Sequence, residues 1–157
     1  VYLFGGDDAC QCSVEVYDPA SDTWETRSNM PTSRRAGTAA MAGGKIYLIG
    51  GVNMQGWVSA VDVFDPSTDT WTQAADYPRQ EEGLGSSVLG GKIYTIVGKH
   101  VDIYDPGTAT WEQGPDFPAA RVGFGTLTVD GKLFVLGGGE DTEGTSLRSA
   151  WEYDPER

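Results

Sequence analysis

Three five-residue segments of the chain can be aligned with one another. Each of them begins with a charged residue that could bind a ligand. Arg34, Glu81 and Arg121 occupy the first position of these five-residue segments. An arginine guanidinium can bind a carboxylate through two parallel hydrogen bonds, so Arg34 and Arg121 together could hold an acidic ligand. Alternatively, these arginines pair with carboxylates of their own chain or cap turns. Glu81 reverses the charge at this point and argues against a purely basic pocket.

Trp57 is a second candidate for binding a partner. It lies in the middle of a long segment between two repeated phrases, and Met54, Gln55 and Gly56 precede it. Exposed aromatic residues and methionines are favoured anchors at protein interfaces, and an indole ring also stacks on sugars. The alternative is that Trp57 folds back over its own repeat.

The two cysteines leave several states open. Cys10 and Cys12 are two positions apart in the sequence, and a disulfide across a single residue is strained. A metal site would need more ligands than the sequence places nearby. The sequence is therefore compatible with unpaired thiols, a strained bridge, or a bond to another segment or chain.

The sequence contains no recognisable set of catalytic residues. The chain has one histidine, His100, and it lacks a Gly-x-Ser-x-Gly elbow, a His-Glu-x-x-His pair and a phosphate-binding loop. Acidic pairs such as Glu81-Glu82 and Glu140-Asp141 are expected to be solvated in so acidic a chain. We therefore expect a protein that is not an enzyme and has no cofactor and no metal site.

The charge balance restricts the partners. With 23 acidic and 11 basic residues the net charge is −12, so phosphate backbones and anionic membrane surfaces would be repelled. No stretch approaches the roughly 20 consecutive apolar residues that a membrane span needs. We expect a protein or peptide partner, no nucleic acid and no membrane span. The scarcity of lysine in an acidic surface favours an extracellular or cell-surface location.

These candidate residues are set in a sequence that repeats itself. The phrase Val63-Phe64-Asp65-Pro66 with Thr70-Trp71 has counterparts at residues 16–24 and 103–111, and its first part returns at residues 152–155. Successive repeat tryptophans are 47 and 40 residues apart. A unit of this length cannot bury its own core, so neighbouring units must stack.

Short apolar runs bounded by turn residues predict strands, four in each unit. In the second unit we predict strands at 37–42, 45–50, 60–65 and 70–74. Gly43-Gly44 should form a tight hairpin turn, and an Asp before Pro should bind the backbone amide two residues on. The predicted fold class is all-β, with four-stranded sheets arranged radially as in a β-propeller.

The repeated phrases resemble kelch repeats over essentially the whole chain. The Gly-Gly pair after a strand, the Tyr before Asp-Pro and the Trp that follows carry the resemblance. It implies a kelch-type β-propeller arc of four-stranded antiparallel blades, with the first strand lining a central channel and the fourth outermost. The residues expected to be structural in these repeats are Gly50, Gly51, Gly137, Gly138, Trp24, Trp71, Trp111, Tyr17, Tyr104 and Tyr153.

The resemblance also bears on the charged candidates. In kelch domains that recruit acidic peptides, an arginine at the position of Arg34 and Arg121 projects toward the mouth of the channel, and Arg121 fits this pattern best. Some kelch-like propellers are copper radical oxidases, which need two histidines, and this chain has His100 alone. A sialic acid mutarotase also carries kelch repeats, and arginines at the channel mouth would suit a carboxylated sugar.

The predicted blades divide the chain into four units of one propeller domain. Residues 34–80 and 81–120 each supply a complete blade, whereas residues 1–33 lack the first strand and residues 121–157 lack the fourth. We therefore expect an arc of a larger ring. Missing sequence or another chain would complete that ring.

The expected function is that of a non-catalytic kelch-repeat interaction module, which binds a protein or peptide through face loops and the channel mouth. Two alternatives remain at this point. One is a propeller that binds or isomerises a sugar acid, similar to the mutarotase. The other is a structural element of a surface assembly.

Overall fold

The computed structural model describes residues 1–6, 12–81, 83–139 and 149–153, and the regular structure in them is β-strand. The strands of the first half are β1 Tyr2–Phe4, β2 Val14–Asp18, β3 Thr23–Thr26, β4 Thr38–Ala42, β5 Lys45–Ile49, β6 Val52–Asn53, β7 Gly56–Trp57, β8 Val61–Asp65 and β9 Thr70–Ala74. Those of the second half are β10 Gly85–Leu89, β11 Lys92–Val97, β12 His100–Asp105, β13 Thr110–Gln113, β14 Gly125–Val129, β15 Lys132–Leu136 and β16 Ala150–Tyr153.

The strands form a series of antiparallel sheets, here called blades. Blade 1 has the order β1-β2-β3, and blade 2 has the order β4-β5-β8-β9. Blade 3 has the order β10-β11-β12-β13, and blade 4 has the order β14-β15-β16. The described chain thus contains two four-stranded blades between two three-stranded ones, as the sequence predicts. The strands β6 and β7 pair with each other as a separate hairpin between β5 and β8, where the sequence predicted a loop.

Glycine pairs make the turns that the sequence predicts. Gly43 and Gly44 join β4 to β5 with φ angles of 57° and 77°, the left-handed values that a two-residue hairpin needs. Gly51 has a φ of 96°, and a Cβ atom on it would lie 2.6 Å from the carbonyl oxygen of Arg35. Gly138 repeats this geometry in blade 4 with a φ of 88°. The backbone conformation at these positions therefore favours glycine over any residue with a side chain.

The Asp-Pro turns also follow the prediction. The carboxylate of Asp65 accepts a hydrogen bond from the amide of Ser67 at 3.0 Å, and Asp105 does the same for Gly107 at 2.8 Å. The side-chain and backbone hydrogen bonds from Ser67 lower the pKa of Asp65. Asp154, which occupies this position in the last repeat, lies outside the described residues.

Neighbouring blades pack through apolar cores between their faces. Ile46 and Leu48 of β5 pack toward blade 1, whereas Tyr47 and Ile49 of the same strand pack toward blade 3. Alternation along one strand therefore serves two interfaces, because successive side chains of a strand point to opposite faces. An inner blade is consequently apolar on both sides.

Repeat tryptophans tie each blade to the one before it. The indole N–H of Trp71 in blade 2 donates to the carbonyl oxygen of Ser28 in blade 1 at 3.0 Å. Trp111 in blade 3 repeats the contact with Ala75 of blade 2, also at 3.0 Å. Trp24 of blade 1 packs on Tyr17, with ring centroids 5.0 Å apart, and is 54% exposed. Trp71 and Trp111 therefore lie at an interface between blades, as predicted. Trp24 has no preceding blade in the described chain.

The outer faces of the two end blades are apolar and exposed. Leu48 in blade 2 is 2% exposed, whereas Leu3, at the same repeat position in blade 1, is 49% exposed. At the other end of the arc, Leu127, Val129 and Leu136 of blade 4 are exposed as well. The exposure follows from the absence of a neighbouring blade in the described chain.

The two cysteines can be placed only in part. Cys12 is disulfide-bonded, and Cys10 lies outside the described residues. Of the states that the sequence left open, an unpaired thiol at Cys12 is therefore wrong.

We predict that Trp71→Phe destabilises the fold more than Trp24→Phe. The first substitution removes a half-buried indole and its hydrogen bond to blade 1, which should lower the free energy of unfolding by about 1–3 kcal/mol. The second removes an exposed ring at the end of the arc and should cost less than about 1 kcal/mol. Urea unfolding followed by circular dichroism measures both, and equal losses would contradict the assigned contact.

Candidate functional site

Arg34 lies inside blade 2, where its guanidinium is 4% exposed. Its Nη1 donates to the carbonyl oxygens of Leu48, Gly50 and Ala60 at 3.3, 3.0 and 2.8 Å. Its Nη2 donates to the carboxylate of Asp62 at 2.6 Å. The side chain thus joins three segments of its own blade. Its guanidinium is thus bonded within its own blade, and the ligand-binding role expected from the sequence stays a prediction.

The partner of Arg34 comes from the third strand of the blade. Asp62 lies on β8 directly opposite Leu48 of β5, and its side chain is fully buried. Burial lowers the pKa of Arg34, and the charge and hydrogen bond of Asp62 act in the opposite direction. A buried charge of either sign would be costly without the other, so the two side chains depend on each other.

Blade 3 makes the equivalent pair with a different arginine. Glu81, at the repeat position of Arg34, is exposed. Arg79, two residues earlier, binds Asp102 of β12 through Nε at 2.5 Å and through Nη2 at 3.1 Å. The hydrogen bond to Asp102 raises the pKa of Arg79. The arginine of blade 3 thus lies two positions earlier in its repeat than Arg34 does in blade 2. The two aspartates have the same repeat position, because Asp102 lies opposite Thr95 as Asp62 lies opposite Leu48.

Tyr77 completes the cluster in blade 3. Its hydroxyl donates to Asp102 at 3.1 Å, and the ring packs edge-on against Trp111. Burial, followed by the charge of Asp102, raises the pKa of Tyr77 far above its usual value. The phenol therefore stays neutral and continues to donate throughout the physiological range.

Arg121 is buried in blade 4 without a carboxylate partner among the described residues. It is 1% exposed, and it donates to the carbonyl oxygen of Gly137 at 2.7 Å and to the hydroxyl of Ser149 at 3.0 Å. Its guanidinium carbon lies 5.3 Å from the centre of the Phe117 ring. Trp151, opposite Val135, stands where blades 2 and 3 have aspartate. The guanidinium therefore lies inside the blade, and its expected role at a channel mouth stays a prediction.

Arg34 and Arg121, which the sequence suggested could hold one acidic ligand together, lie in different blades, as their positions in separate repeats require. Arg34 and Arg121 are buried in separate sheets, and Glu81 is exposed on a third. Sequence reasoning missed Asp62 and Asp102, the residues that explain the buried cations. A signal was present, since each aspartate stands between β-branched residues in a strand that is otherwise buried.

Trp57, like Glu81, is a predicted site residue that the structure leaves accessible. It ends the β6–β7 hairpin and is 48% exposed, and Met54 at the turn of this hairpin is 93% exposed. The indole therefore lies at a partly open surface and is not folded into the blade. Met54 and Trp57 are exposed apolar residues at the two ends of this short hairpin, and together they are called its apolar tip here. The turn between the second and third strands of blade 3 has no exposed large apolar residue.

The hairpin is fixed to its blade by backbone and side-chain hydrogen bonds. Arg35 and Val52 exchange two backbone hydrogen bonds, each of 2.9 Å. The side-chain amide of Asn53 donates to the carbonyl oxygen of Ser33 at 3.1 Å, and its oxygen accepts from the amide of Gln55 at 2.9 Å. The apolar tip is thus held at a defined position before any partner binds.

Hydroxyl groups along the inner strands connect neighbouring blades. Thr38 of β4 and Ser86 of β10 lie 2.7 Å apart, and Ser87 of β10 and Thr128 of β14 are also separated by 2.7 Å. Thr126 donates to the carbonyl oxygen of Ser86 at 2.8 Å. These hydroxyls hold the inner strands together, and each already has a hydrogen-bond partner.

The described residues contain neither a cluster of metal ligands nor a membrane-spanning helix. Across residues 1–6, 12–81, 83–139 and 149–153, no group of three or more His, Cys, Asp or Glu side chains is placed to hold a metal ion. Within the same residues there is no helix long and apolar enough to cross a membrane.

Radially stacked antiparallel blades with buried cations and a projecting hairpin define a protein of the β-propeller class. The family model described as the KLHDC2/KLHL20/DRC7 Kelch-repeats domain matches residues 1–138, and the Kelch motif model matches residues 120–157. The chain belongs to the kelch-repeat family.

Solved structures support the fold. The structure described as "Structure of YjhT" matches with a TM-score of 0.85 at 19% sequence identity, over 98% of this chain and 59% of that one. At this identity the likeness shows the fold alone, and the chain spans 59% of the length of the protein that it matches. A comparison with curated protein sequences found no match.

We predict that Asp62→Asn strongly destabilises the fold, because it leaves the buried guanidinium of Arg34 without a counter-charge. The free energy of unfolding should fall by about 3–5 kcal/mol. Asp76→Asn, the same change at an exposed position, should alter it by less than about 0.5 kcal/mol. Chemical denaturation of both variants provides the test, and equal midpoints would show that Asp62 is not the required partner.

Proposed function

We propose that the chain is a non-catalytic protein-interaction module whose main partner contact is the apolar tip of the β6–β7 hairpin. The observation that carries the proposal is the exposure of Met54 and Trp57 on a hairpin that is already fixed to blade 2. Tryptophan and methionine are enriched at interfaces, and tryptophan is over-represented among the residues that dominate binding energy.

The rigidity of the hairpin supports its use as an anchor. Ordering a flexible loop on binding costs free energy, and a loop held in its bound conformation avoids most of that cost. The hydrogen bonds of Arg35, Asn53 and Gln55 supply this order in the free protein. The indole offers a large, stiff contact surface with few rotatable bonds.

The charge of the chain points to the chemistry of the partner. A net charge of −12 creates a negative potential that attracts basic surfaces and accelerates their association. The partner proposed here therefore presents an apolar cleft for Trp57 and Met54 within a basic surface. Its association rate should fall as the salt concentration rises.

Binding of a sugar acid, the alternative from the sequence, has less support. It relied on Arg34 and Arg121 as ligands for a sugar carboxylate, and both guanidinium groups are buried and bonded within their blades. Trp57 could still stack on a sugar ring, but no described cation accompanies it at the hairpin except Arg35. We therefore favour a protein partner.

We predict that Trp57→Ser weakens partner binding and leaves the fold intact. A photo-crosslinking amino acid at Gln55 would first attach the partner covalently, and mass spectrometry would identify it. The affinity of the purified partner, measured by calorimetry, should then fall by about 10-fold or more for Trp57→Ser. The thermal midpoint should change little, because the side chain is half exposed.

Trp24→Ser is the matched control, since Trp24 is an equally exposed tryptophan on a different blade. It should leave the affinity unchanged. Equal losses for the two variants, or no loss for either, would remove the hairpin from the binding site.

A further inference from the structure

Met54 lies at the turn of the β6–β7 hairpin, where its side chain is 93% exposed. Turns of this kind favour small or polar residues. Asn53 and Gly56, on either side of the turn, follow that preference, and the side-chain oxygen of Asn53 accepts a hydrogen bond from the amide of Gln55 at 2.9 Å. The turn is therefore formed by its polar neighbours, and the thioether of Met54 projects into solvent.

The other two-residue hairpin turns in the described chain have a different composition. Each of them contains glycine and none contains a large apolar residue: Gly43-Gly44, Gly90-Gly91, Gly98-Lys99 and Asp130-Gly131. Residues that depart from the local preference of their element concentrate at functional sites. The turn itself gives no reason for a methionine at position 54.

The three methionines of the chain differ widely in exposure. Met30 is 4% exposed in the core between blades 1 and 2, Met41 on β4 is 57% exposed, and Met54 is 93% exposed. An oxidant must reach the lone pair of the sulfur in order to react, so exposure sets the order of oxidation. Met54 should therefore be oxidised first and Met30 last.

We propose that Met54 is a redox modification site, at which a hydroperoxide converts the thioether to the sulfoxide and thereby weakens the contact of the apolar tip with its partner. One oxygen atom passes from the hydroperoxide to the sulfur, the O–O bond breaks, and the other oxygen leaves as water or an alcohol. The sulfur gives up two electrons, and the proton of the transferred oxygen moves to the leaving oxygen. The inference rests on the proposed function, because it assigns a regulation to the same hairpin.

The sulfoxide changes the chemistry of the tip and leaves its backbone in place. The hydrogen bonds that fix the hairpin come from the backbone and from Asn53. Methionine sulfoxide carries a polar oxygen where the thioether is apolar. In the free protein water solvates that oxygen, whereas an apolar cleft of the partner offers it no donor, and burial of a polar group without a hydrogen bond costs free energy. Oxidation should therefore weaken binding and leave the stability of the fold unchanged.

The first experiment treats the 157-residue chain alone with hydrogen peroxide and follows each methionine by mass spectrometry of its peptides. Met54 should be oxidised several-fold faster than Met30, with Met41 between them. Addition of the partner captured through Gln55 should slow the oxidation of Met54, because the bound partner covers the tip, and should leave that of Met41 unchanged.

The second experiment measures the affinity for that partner by calorimetry before and after peroxide treatment. The dissociation constant should rise by about 10-fold for the unchanged chain and for Met41→Leu. Methionine sulfoxide reductases with a thiol reductant, which remove the oxygen as water, should restore it. Met54→Leu has no thioether at the tip, so its dissociation constant, whatever its starting value, should not respond to peroxide.

The outcomes separate this inference from the proposed function. Equal oxidation rates of Met54 and Met30 in the free chain would overturn the assignment of the site. An affinity that peroxide leaves unchanged, in a protein whose Trp57→Ser variant has lost binding, would overturn the regulation and leave the proposed function standing. A peroxide response of Met54→Leu as large as that of the unchanged chain would also contradict the proposal. If Trp57→Ser binds as well as the unchanged chain, the proposed function fails and the regulation fails with it.

Discussion

Each inner blade is apolar on both of its faces, so it is stable only between two neighbours. Ile46 and Leu48 of one strand need blade 1, and Tyr47 and Ile49 need blade 3. The repeat tryptophans serve this stacking, since Trp71 bonds to the preceding blade, whereas the glycine pairs let backbone segments within one blade approach closely. Where the stacking ends in the described chain, the same repeat positions become exposed, as Leu3 shows.

The same constraint explains why charged residues occur inside the sheets. A blade that is covered on both faces removes any polar side chain at those positions from water, so a charged group there needs a counter-charge or hydrogen-bond acceptors. Arg34 with Asp62 and Arg79 with Asp102 satisfy this requirement within single blades. The partner binding proposed above is assigned to a group outside the stack, the β6–β7 hairpin.

Local features of the fold could be predicted from the sequence, because turns depend on adjacent residues. Gly43-Gly44, the Asp65 turn and the four main strands of blade 2 lie where the pattern put them, to within a residue. The site was harder to predict. Arg34 and Asp62 are 28 residues apart, and they meet because β4 pairs with β5 and β5 pairs with β8. In blade 3 the arginine that binds Asp102 is Arg79 and not the residue at position 81, because its side chain is long enough to reach the carboxylate from two positions earlier. An alignment of the repeats does not reveal this. Trp57 was identified because it breaks the repeat.

Amide hydrogen exchange of the chain, with and without the partner captured through Gln55, tests the central claim most directly. The claim is that each repeat arginine holds the segments of its own blade together while the hairpin binds the partner. The account predicts that the partner protects the amides of residues 52–58 and leaves those around Arg34 and Arg121 unchanged. Protection centred on the arginine segments, with an unchanged hairpin, would contradict it.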